Sequence, residues 1–324
     1  GRVFQTRVFE IPAGSRISKG QAAVNIIGLA SDERVTAMIA MADFKKEGYL
    51  FMITKRGTVK KTKIVDYQNV RKSGIIAIRL DDGDELNWVK HTNGADDVLI
   101  VSSQGMSIHF KEEDARPMGR ASRGVSGIKL RDGDSVVCAD VVTRGDTKAR
   151  LLVVSENGLG KKTPLVEYSL QNRGGIGIKT ANVTQKTGTL VGAKVIHEHD
   201  KDLLCISQEG QVIRLPLASI STLSRSTQGV KIMRLKGSDK LSSVSVVEEN
   251  GEISENSTGV IHNDGSMDIA DSDVTEKKES MKKEIIVKKA IITKKPSPKS
   301  KSHVSARDTK KGIKKKSGFI RRKI

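Results

Sequence analysis

The chain has 324 residues, of which only 3% are aromatic and 36% apolar, so either part of it is disordered or its core is built from Val, Ile and Leu strands. A formal net charge of +19 favours a polyanionic partner, most simply nucleic acid. No apolar run approaches the roughly 20 residues of a membrane span, and two cysteines provide no disulfide framework, so we expect a cytoplasmic protein without a membrane partner.

A plan of about fifty residues recurs five times along the chain. Each unit has an apolar strand that runs into a turn glycine, and the first unit begins at that glycine. These glycines are Gly1, Gly57, Gly105, Gly158 and Gly210. A strand rich in basic residues follows each of them, at 2–7, 58–63, 106–111, 159–163 and 211–214.

A second glycine, with a cation just before it, follows about sixteen to nineteen residues later. We identify these glycines as Gly20, Gly74, Gly124, Gly174 and Gly229. Next come an alternating strand, such as 127–130 or 177–180, an Asp-Gly turn and a closing strand. Four strands with Gly and Asx connections predict one four-stranded antiparallel blade per unit. Because blades must stack to bury both faces, residues 1–247 are predicted to form an all-β, propeller-like domain of about five blades, the first truncated.

The composition changes after residue 247. Residues 248–276 carry nine acidic side chains and no Lys or Arg, which predicts an acidic disordered linker. Residues 277–324 carry nineteen Lys or Arg against three acidic residues, which predicts a basic disordered tail. These two segments together contribute +7, so about +12 of the net charge remains on the repeat domain.

Lysine and arginine residues recur at two places in the repeats, the basic strand and the loop before the second glycine. A strand places alternate residues on one face, and fixed cations there could neutralise phosphates without reading bases. Ordinary solvated surface charge is the alternative for any one of them. The DNA-binding candidates are Arg16, Lys19, Lys60, Lys61, Lys63, Arg71, Lys72, Arg120, Arg123, Lys161, Lys162, Arg173, Arg214 and Arg225.

Other motifs favour structural roles, and we predict neither a metal site nor a catalytic residue. The Asp-Gly-Asp turns lack the further oxygen ligands of a calcium loop and are typical of tight hairpins. His197, His199 and Cys205 could hold zinc by composition, but Cys205 aligns with core positions of the other repeats. Cys138 shares its repeat position with Trp88, which indicates packing rather than nucleophilic chemistry. The segment 155–163 lacks the leading Gly and the Ser or Thr of a phosphate loop.

Several of these motifs carry a family resemblance. Gly-Thr-Val-Lys-Lys-Thr at 57–62, Arg-Gly-Val-Ser-Gly-Ile-Lys-Leu at 123–130 and Thr-Gln-Gly-Val-Lys-Ile-Met-Arg-Leu at 227–235 resemble the repeats of the C-terminal DNA-wrapping domain of the DNA gyrase A subunit. The resemblance covers residues 1 to about 249, and the opening resembles that domain's second blade. It implies a six-bladed β-pinwheel that bends DNA around a basic rim and supports ATP-dependent negative supercoiling by the whole enzyme.

The resemblance also implies association with the nucleoid and three partners: duplex DNA, the rest of the gyrase A subunit, and the gyrase B subunit. The cleavage tyrosine, ATP and Mg²⁺ of the parent enzyme would then lie outside this chain, which needs no cofactor of its own. Two features depart from the family. Gln-Asn-Arg-Gly-Gly-Ile-Gly at 171–177 resembles the family's wrapping box but lies in a later repeat and lacks two cations, and the tail is acidic and then basic. The C-terminal domain of topoisomerase IV and a propeller that binds proteins remain alternatives.

Overall fold

The computed structural model describes residues 1–15, 17–31, 33–41 and 47–248; Arg16 and most of the predicted linker and tail therefore lie outside the described residues. Within these ranges the chain is all-β, with short 3₁₀ turns and no α-helix. The strands are β1 (Arg2–Val3), β2 (Tyr49–Thr54), β3 (Thr58–Lys63), β4 (Ile75–Ile76), β5 (Leu86–Thr92), β6 (Asp97–Ser102), β7 (Met106–Lys111), β8 (Val125–Ser126), β9 (Val136–Val142), β10 (Arg150–Ser155), β11 (Leu159–Pro164), β12 (Ile178–Lys179), β13 (Leu190–Ile196), β14 (Asp200–Ser207), β15 (Val212–Pro216), β16 (Val230–Lys231) and β17 (Leu241–Glu248).

The predicted four-stranded antiparallel sheets are confirmed for the second, third and fourth repeats, but each takes its outer strand from the following repeat; the described residues also form a three-stranded sheet, β15-β14-β17, and a two-stranded one, β1-β4. The strand orders are β5-β2-β3-β8, β9-β6-β7-β12 and β13-β10-β11-β16. Thus β8 belongs to the third repeat yet pairs with β3 of the second, through Val125 opposite Val59. The prediction that each repeat forms a blade by itself is therefore wrong in this respect. Neighbouring repeats are joined by main-chain hydrogen bonds as well as by side-chain packing.

The first glycine of a repeat holds the strand exchanged from the next one, at Gly1, Gly57, Gly105 and Gly158. Gly158 has φ +75°, a conformation that costs L-residues about 1–2 kcal/mol, and its carbonyl accepts hydrogen bonds from the N–H groups of Ile232 and Met233 at 2.9 and 3.2 Å. The carbonyl of Gly57 accepts equivalent bonds from residues 127 and 128. The turn glycine therefore shapes its own hairpin and receives the next repeat.

The Asp-Gly-Asp segments are turns, as predicted, and their second aspartate supports the neighbouring hairpin. Asp84 Oδ1 accepts hydrogen bonds from the N–H of Arg56 at 3.0 Å and of Glu85 at 2.9 Å. Asp134 Oδ1 accepts from the hydroxyl of Ser103 at 2.8 Å. These carboxylates therefore have a structural role, since they accept hydrogen bonds from main-chain and hydroxyl donors of the turns.

The hydrophobic core lies between successive sheets rather than within one. Phe51 and Ile53 of β2 pack with Ile100 of β6 and Phe110 of β7 in one cluster, and equivalent clusters follow between the later sheets. These side chains are all fully buried. The alternation of each strand thus serves two interfaces, because its two faces meet different neighbours.

The inner strands β5, β9, β13 and β17 contact one another in chain order and carry a buried charge triad. The Oδ1 of Asp140 lies 3.2 Å from Lys90 Nζ, and its Oδ2 lies 3.2 Å from Lys194 Nζ. One carboxylate in the third repeat therefore joins ammonium groups of the second and fourth. Burial alone raises the pKa of Asp140, but Lys194 and Lys90 outweigh that effect and hold it below its ordinary value.

Candidate nucleic-acid interface

Four of the lysines predicted to contact DNA are buried, so that part of the site prediction is wrong. Lys60 and Lys161 are 0% exposed, and Lys61 and Lys162 are 4% and 5% exposed. Both members of each pair are covered although adjacent strand residues point to opposite faces, because each face of the strand meets another part of the protein. A buried ammonium group cannot approach a phosphate in solvent.

Lys61 and Lys162 occupy the same repeat position and bind the 3₁₀ turn of the following repeat. Lys61 Nζ donates to the carbonyl of Glu112 at 3.1 Å and lies 3.6 Å from that residue's carboxylate. Lys162 Nζ donates to the carbonyl of Leu217 at 2.6 Å. His109, at the equivalent position of the third repeat, makes a 2.9 Å hydrogen bond with the carbonyl of Tyr168. These side chains therefore connect successive repeats.

Lys60 and Lys161 occupy the position one residue earlier, and each binds a loop of the following repeat; Lys60 also binds a carbonyl of its own repeat. Lys60 Nζ donates to the carbonyls of Ala77, at 2.6 Å, and of Arg120. Lys161 Nζ donates to the carbonyls of Ser224 and Arg225 at 2.7 and 2.5 Å. Burial lowers the pKa of both lysines to about 8, and for Lys60 the nearby charge of Arg120 acts in the same direction.

The remaining described candidates reach the surface, and Arg16 lies outside the described residues. Two of the exposed arginines are paired with carboxylates: Arg123 lies 2.5 Å from Asp81, and Arg214 lies 2.6 Å from Asp202. Such solvent-exposed pairs contribute about 0–1 kcal/mol, so a phosphate could compete for either arginine. The exposed candidates are Lys19, Lys63, Arg71, Lys72, Arg123 and Arg214, and the half-buried ones are Arg120, Arg173 and Arg225.

The structure corrects the register of the fourth repeat. An added Cβ would lie 2.7 Å from the Val59 carbonyl at Gly124, 2.2 Å from that of Ser107 at Gly177 and 2.7 Å from that of Gly160 at Gly229. All three glycines have positive φ and approach the equivalent strand position, so Gly177, not Gly174, is the second glycine. The apparent match of 177–180 to 127–130 is therefore offset by three residues.

With this register, Arg120, Arg173 and Arg225 occupy one position, four residues before the second glycine. Their loops lie side by side along the exchanged strands: Arg79 N–H donates to the carbonyl of Ser122 at 3.1 Å, and Lys129 N–H to that of Gly175 at 2.8 Å. The loops therefore form a continuous series along the outer edge of the sheets. Arg71 of the second repeat and Arg120 of the third line one surface depression.

The segment 171–177, which resembles a wrapping box, lies in this series. Its arginine is held by the neighbouring main chain: Arg173 Nε donates to the carbonyl of Asp114 at 2.9 Å, and Arg173 Nη1 to that of Ser126 at 2.8 Å. A guanidinium group has five N–H donors, so these two bonds leave donors for a further acceptor.

Sequence reasoning missed a second series of exposed cations on the outer edge. Arg79, Lys129 and Arg234 each follow a buried apolar residue of the exchanged strand, Ile78, Ile128 and Met233 respectively. The signal was present in the alternation of apolar residue, cation and apolar residue at 78–80, 128–130 and 233–235, because a cation between inward-facing neighbours must point outward. Arg79, Lys129 and Arg234 are therefore added to the loop cations as candidates for binding phosphate.

The five repeats match a protein-family model described as the DNA gyrase C-terminal domain, a β-propeller, at residues 1–40, 48–93, 96–143, 149–197 and 201–248. The chain belongs to the DNA gyrase C-terminal domain family. It is 41% identical over 271 residues to the DNA gyrase A subunit of Staphylococcus aureus strain NCTC 8325 / PS 47, and 40% identical over 268 residues to that of strain MRSA252. Each alignment covers 82% of this chain but only 30% of the relative.

Two solved structures share the fold. The C-terminal domain of DNA topoisomerase IV superposes with a TM-score of 0.72 at 24% identity, over 79% of this chain and 78% of that one. A DNA gyrase A C-terminal domain superposes with a TM-score of 0.63 at 27% identity, over 76% and 79%. The likeness to topoisomerase IV concerns the fold, whereas the sequence relationship to the gyrase A subunit extends over most of this chain.

The other polar clusters have structural partners. His197 Nδ1 lies 3.1 Å from Asp146 Oδ2, and the His197 ring stacks on His199 at 5.5 Å between centroids. Cys138 and Cys205 are buried in the core as the repeat register predicts, and burial raises the pKa of each thiol to about 12. Over the described part of the chain, no group of three or more His, Cys, Asp or Glu side chains is placed to hold a metal ion. In the same ranges no helix is long and apolar enough to cross a membrane.

Proposed function

We propose that this chain binds duplex DNA without sequence preference and bends it along the outer edge of the sheets, as the C-terminal part of a gyrase A subunit. The observation that carries the proposal is the series of loop and strand cations repeated along that edge. Arg79, Lys129 and Arg234 extend from exchanged strands, and Arg120, Arg173 and Arg225 from the adjoining loops. Together with family membership, this series favours an extended track for phosphates over a single local site.

A track suits DNA because the duplex presents a phosphate about every 1.7 Å of axis when both strands are counted. Bending a site of 20–30 base pairs costs on the order of 1–6 kcal/mol, which many distributed contacts can offset together. Contact with successive phosphates and bending of the duplex both require cations repeated along the surface, and neither requires side chains that read the bases. Within the parent enzyme, the bent segment would support ATP-dependent negative supercoiling together with the rest of the A subunit, and with the B subunit. The cleavage tyrosine, ATP and Mg²⁺ would belong to those parts.

Fluorescence anisotropy of the 324-residue chain with a duplex of about 40 base pairs tests the proposal. If about eight phosphates are neutralised, log affinity should fall against log salt concentration with a slope near −7. Energy transfer between dyes at the two DNA ends should rise on binding because bending brings the ends together. Two unrelated sequences serve as controls for each other and should bind alike.

An affinity independent of salt, or a strong preference for one sequence, would contradict the proposal. Binding without any change in energy transfer would remove the bending step alone. If the chain does not bind DNA at all, the alternative of a protein-interaction propeller gains support. A supercoiling assay with the complete enzyme distinguishes a gyrase from a topoisomerase IV, since only a gyrase is required to introduce negative supercoils.

A further inference from the structure

Lys60 and Lys161 are fully buried cations whose hydrogen-bond acceptors lie mainly in the loop of the following repeat. Lys60 Nζ donates to the main-chain carbonyl of Arg120, and Lys161 Nζ donates to that of Arg225 at 2.5 Å. Arg120 and Arg225 are equivalent, each four residues before the positive-φ glycine of its loop. Two buried lysines at one repeat position thus each hold the peptide of an arginine proposed to meet DNA.

The fold does not itself require a charge at this position. The equivalent residues of the third and fifth repeats are Ile108 of β7, which is fully buried, and Ile213 of β15, which is partly buried; both strands occupy the same place in their sheets as β3 and β11. Burying an ammonium group without a paired carboxylate is costly, whereas isoleucine fills the site without that cost. Retaining lysine in the second and fourth repeats therefore calls for a role other than packing.

Comparison with the repeat that has isoleucine shows what the lysine changes. The loop that follows Ile108 contains Arg173, whose own guanidinium group binds two main-chain carbonyls at 2.9 and 2.8 Å. The loops that follow Lys60 and Lys161 are held by the lysine instead. Arg225 itself makes a single longer side-chain bond, 3.3 Å to the carbonyl of Lys179. The lysine takes over the anchoring that the arginine performs in the other loop.

The main chain of Arg225 is held at both its carbonyl and its N–H group. Its carbonyl accepts from Lys161, and its N–H donates to the carboxylate of Glu167 at 3.3 Å. Lys161 also donates to the hydroxyl of Thr227 at 3.1 Å, two residues further along the loop. Fixing the main chain in this way reduces the conformational freedom that the arginine must lose when it binds a phosphate.

We propose that Lys60 and Lys161 are positioning residues that fix the loops of Arg120 and Arg225, so that these guanidinium groups are presented to the DNA backbone. The lysines do not touch DNA. This proposal rests on the proposed function for its DNA-binding consequence, but its structural part, the fixing of the two loops, is independent of DNA.

Hydrogen–deuterium exchange on the 324-residue chain tests the structural part. K60I and K161I introduce the residue that the other repeats carry at this position. In K60I, amides of 117–124 should exchange at least about ten times faster than in the wild type, while those of 222–229 stay unchanged; K161I should show the reverse. K162M is the matched control. It removes a buried ammonium group from the same strand, but that group binds the carbonyl of Leu217 and not an arginine loop.

Binding to a 40-base-pair duplex tests the consequence. K60I should weaken binding about three- to tenfold, R120A should do the same, and the double variant K60I/R120A should be no weaker than R120A alone, because both changes remove one contact. Additive losses, or unchanged exchange in the loops of both folded variants, would overturn the proposal. If K60I does not fold, K60Q serves in its place, since its shorter side chain cannot reach the Arg120 carbonyl. A wild-type chain that does not bind DNA would refute the proposed function while leaving the exchange result to judge the loops.

Discussion

Replacing Asp140 with asparagine should destabilise the domain more than any change to a surface ion pair. The carboxylate lies between Lys90 and Lys194, at 3.2 Å from each ammonium group, and it also accepts the N–H of Val195 at 3.3 Å. The three side chains are 6–14% exposed, so water screens them poorly. Asparagine keeps the size of the side chain but leaves two buried ammonium groups without that carboxylate.

Removing one partner of a buried ion pair costs about 3–5 kcal/mol, because the other charge remains buried. We expect a loss in this range for D140N, measured as the change in the free energy of unfolding by urea at pH 7. The matched control is E198Q, which breaks the pair of Lys148 and Glu198 at 3.3 Å, where both side chains are more than 70% exposed. That substitution should cost less than about 1 kcal/mol.

The triad also predicts a specific response to pH. The folded-state pKa of Asp140 lies below its unfolded value, so the unfolded chain binds a proton first as the pH falls. The stability from this group is therefore present above about pH 4 and is lost below it. D140N should not show this loss.

The triple variant K90M/D140L/K194M separates charge from packing. Replacing a complete buried ion network with apolar residues of similar volume is often neutral or stabilising. The triple variant should therefore recover most of the stability that D140N loses. If D140N costs less than about 1 kcal/mol, or the triple variant is no more stable than D140N, the assignment of a buried and mutually dependent triad is wrong.

Three further predictions follow from the hairpins and the outer edge. The pKa values of Lys60 and Lys161 are about 8 in the folded chain, below the ordinary 10.5, so between pH 8 and 10.5 the unfolded chain binds more protons than the folded one. Urea titrations should therefore show the free energy of unfolding rising from pH 8 to 9 by up to about 1.4 kcal/mol per lysine, and K60I/K161I should lack this rise. Gly158→Ala would place its Cβ 2.4 Å from a carbonyl of the exchanged strand, so it should cost more than the control Gly133→Ala, which has similar φ and open space; calorimetry that finds equal melting temperatures would contradict this. Arg79→Ala should weaken DNA binding equally for all sequences and reduce the salt slope by about 1, whereas an unchanged slope would remove this residue from the track.

The strand pattern was predictable because its causes are local. Alternating apolar residues and turn glycines identify the hairpins, and the aligned residues Met52, Ile100, Val153 and Cys205 are all buried strand residues. The core position predicted for Cys205 is thereby confirmed. Pleated strands place every second side chain on one face whatever their partners are, so this part of the fold follows from the order of residues alone.

The charged residues of the outer edge could be predicted only in part. Arg71, Lys72 and Arg123 are exposed as expected, but Arg79 and Lys129 were not recognised although their apolar neighbours indicate an outward direction. The register error at Gly174 arose because Arg-Gly at 173–174 matches Arg-Gly at 123–124, and Gly-Ile-Lys at 177–179 matches Gly-Ile-Lys at 127–129. Only the close approach of Gly177 to the Ser107 carbonyl identifies Gly177 as the second glycine.

The sequence by itself determined the repeat, the all-β class and the charge of the domain, because these depend on residue type and on spacing along the chain. Only the tertiary structure decided which repeat supplies the outer strand of each sheet and which lysines meet solvent. The basic strand has the same alternation whether its second face is open to water or covered by the next repeat. Lys60 and Lys161 lie beneath that repeat, where carbonyls from residues some sixty positions away replace water around their ammonium groups.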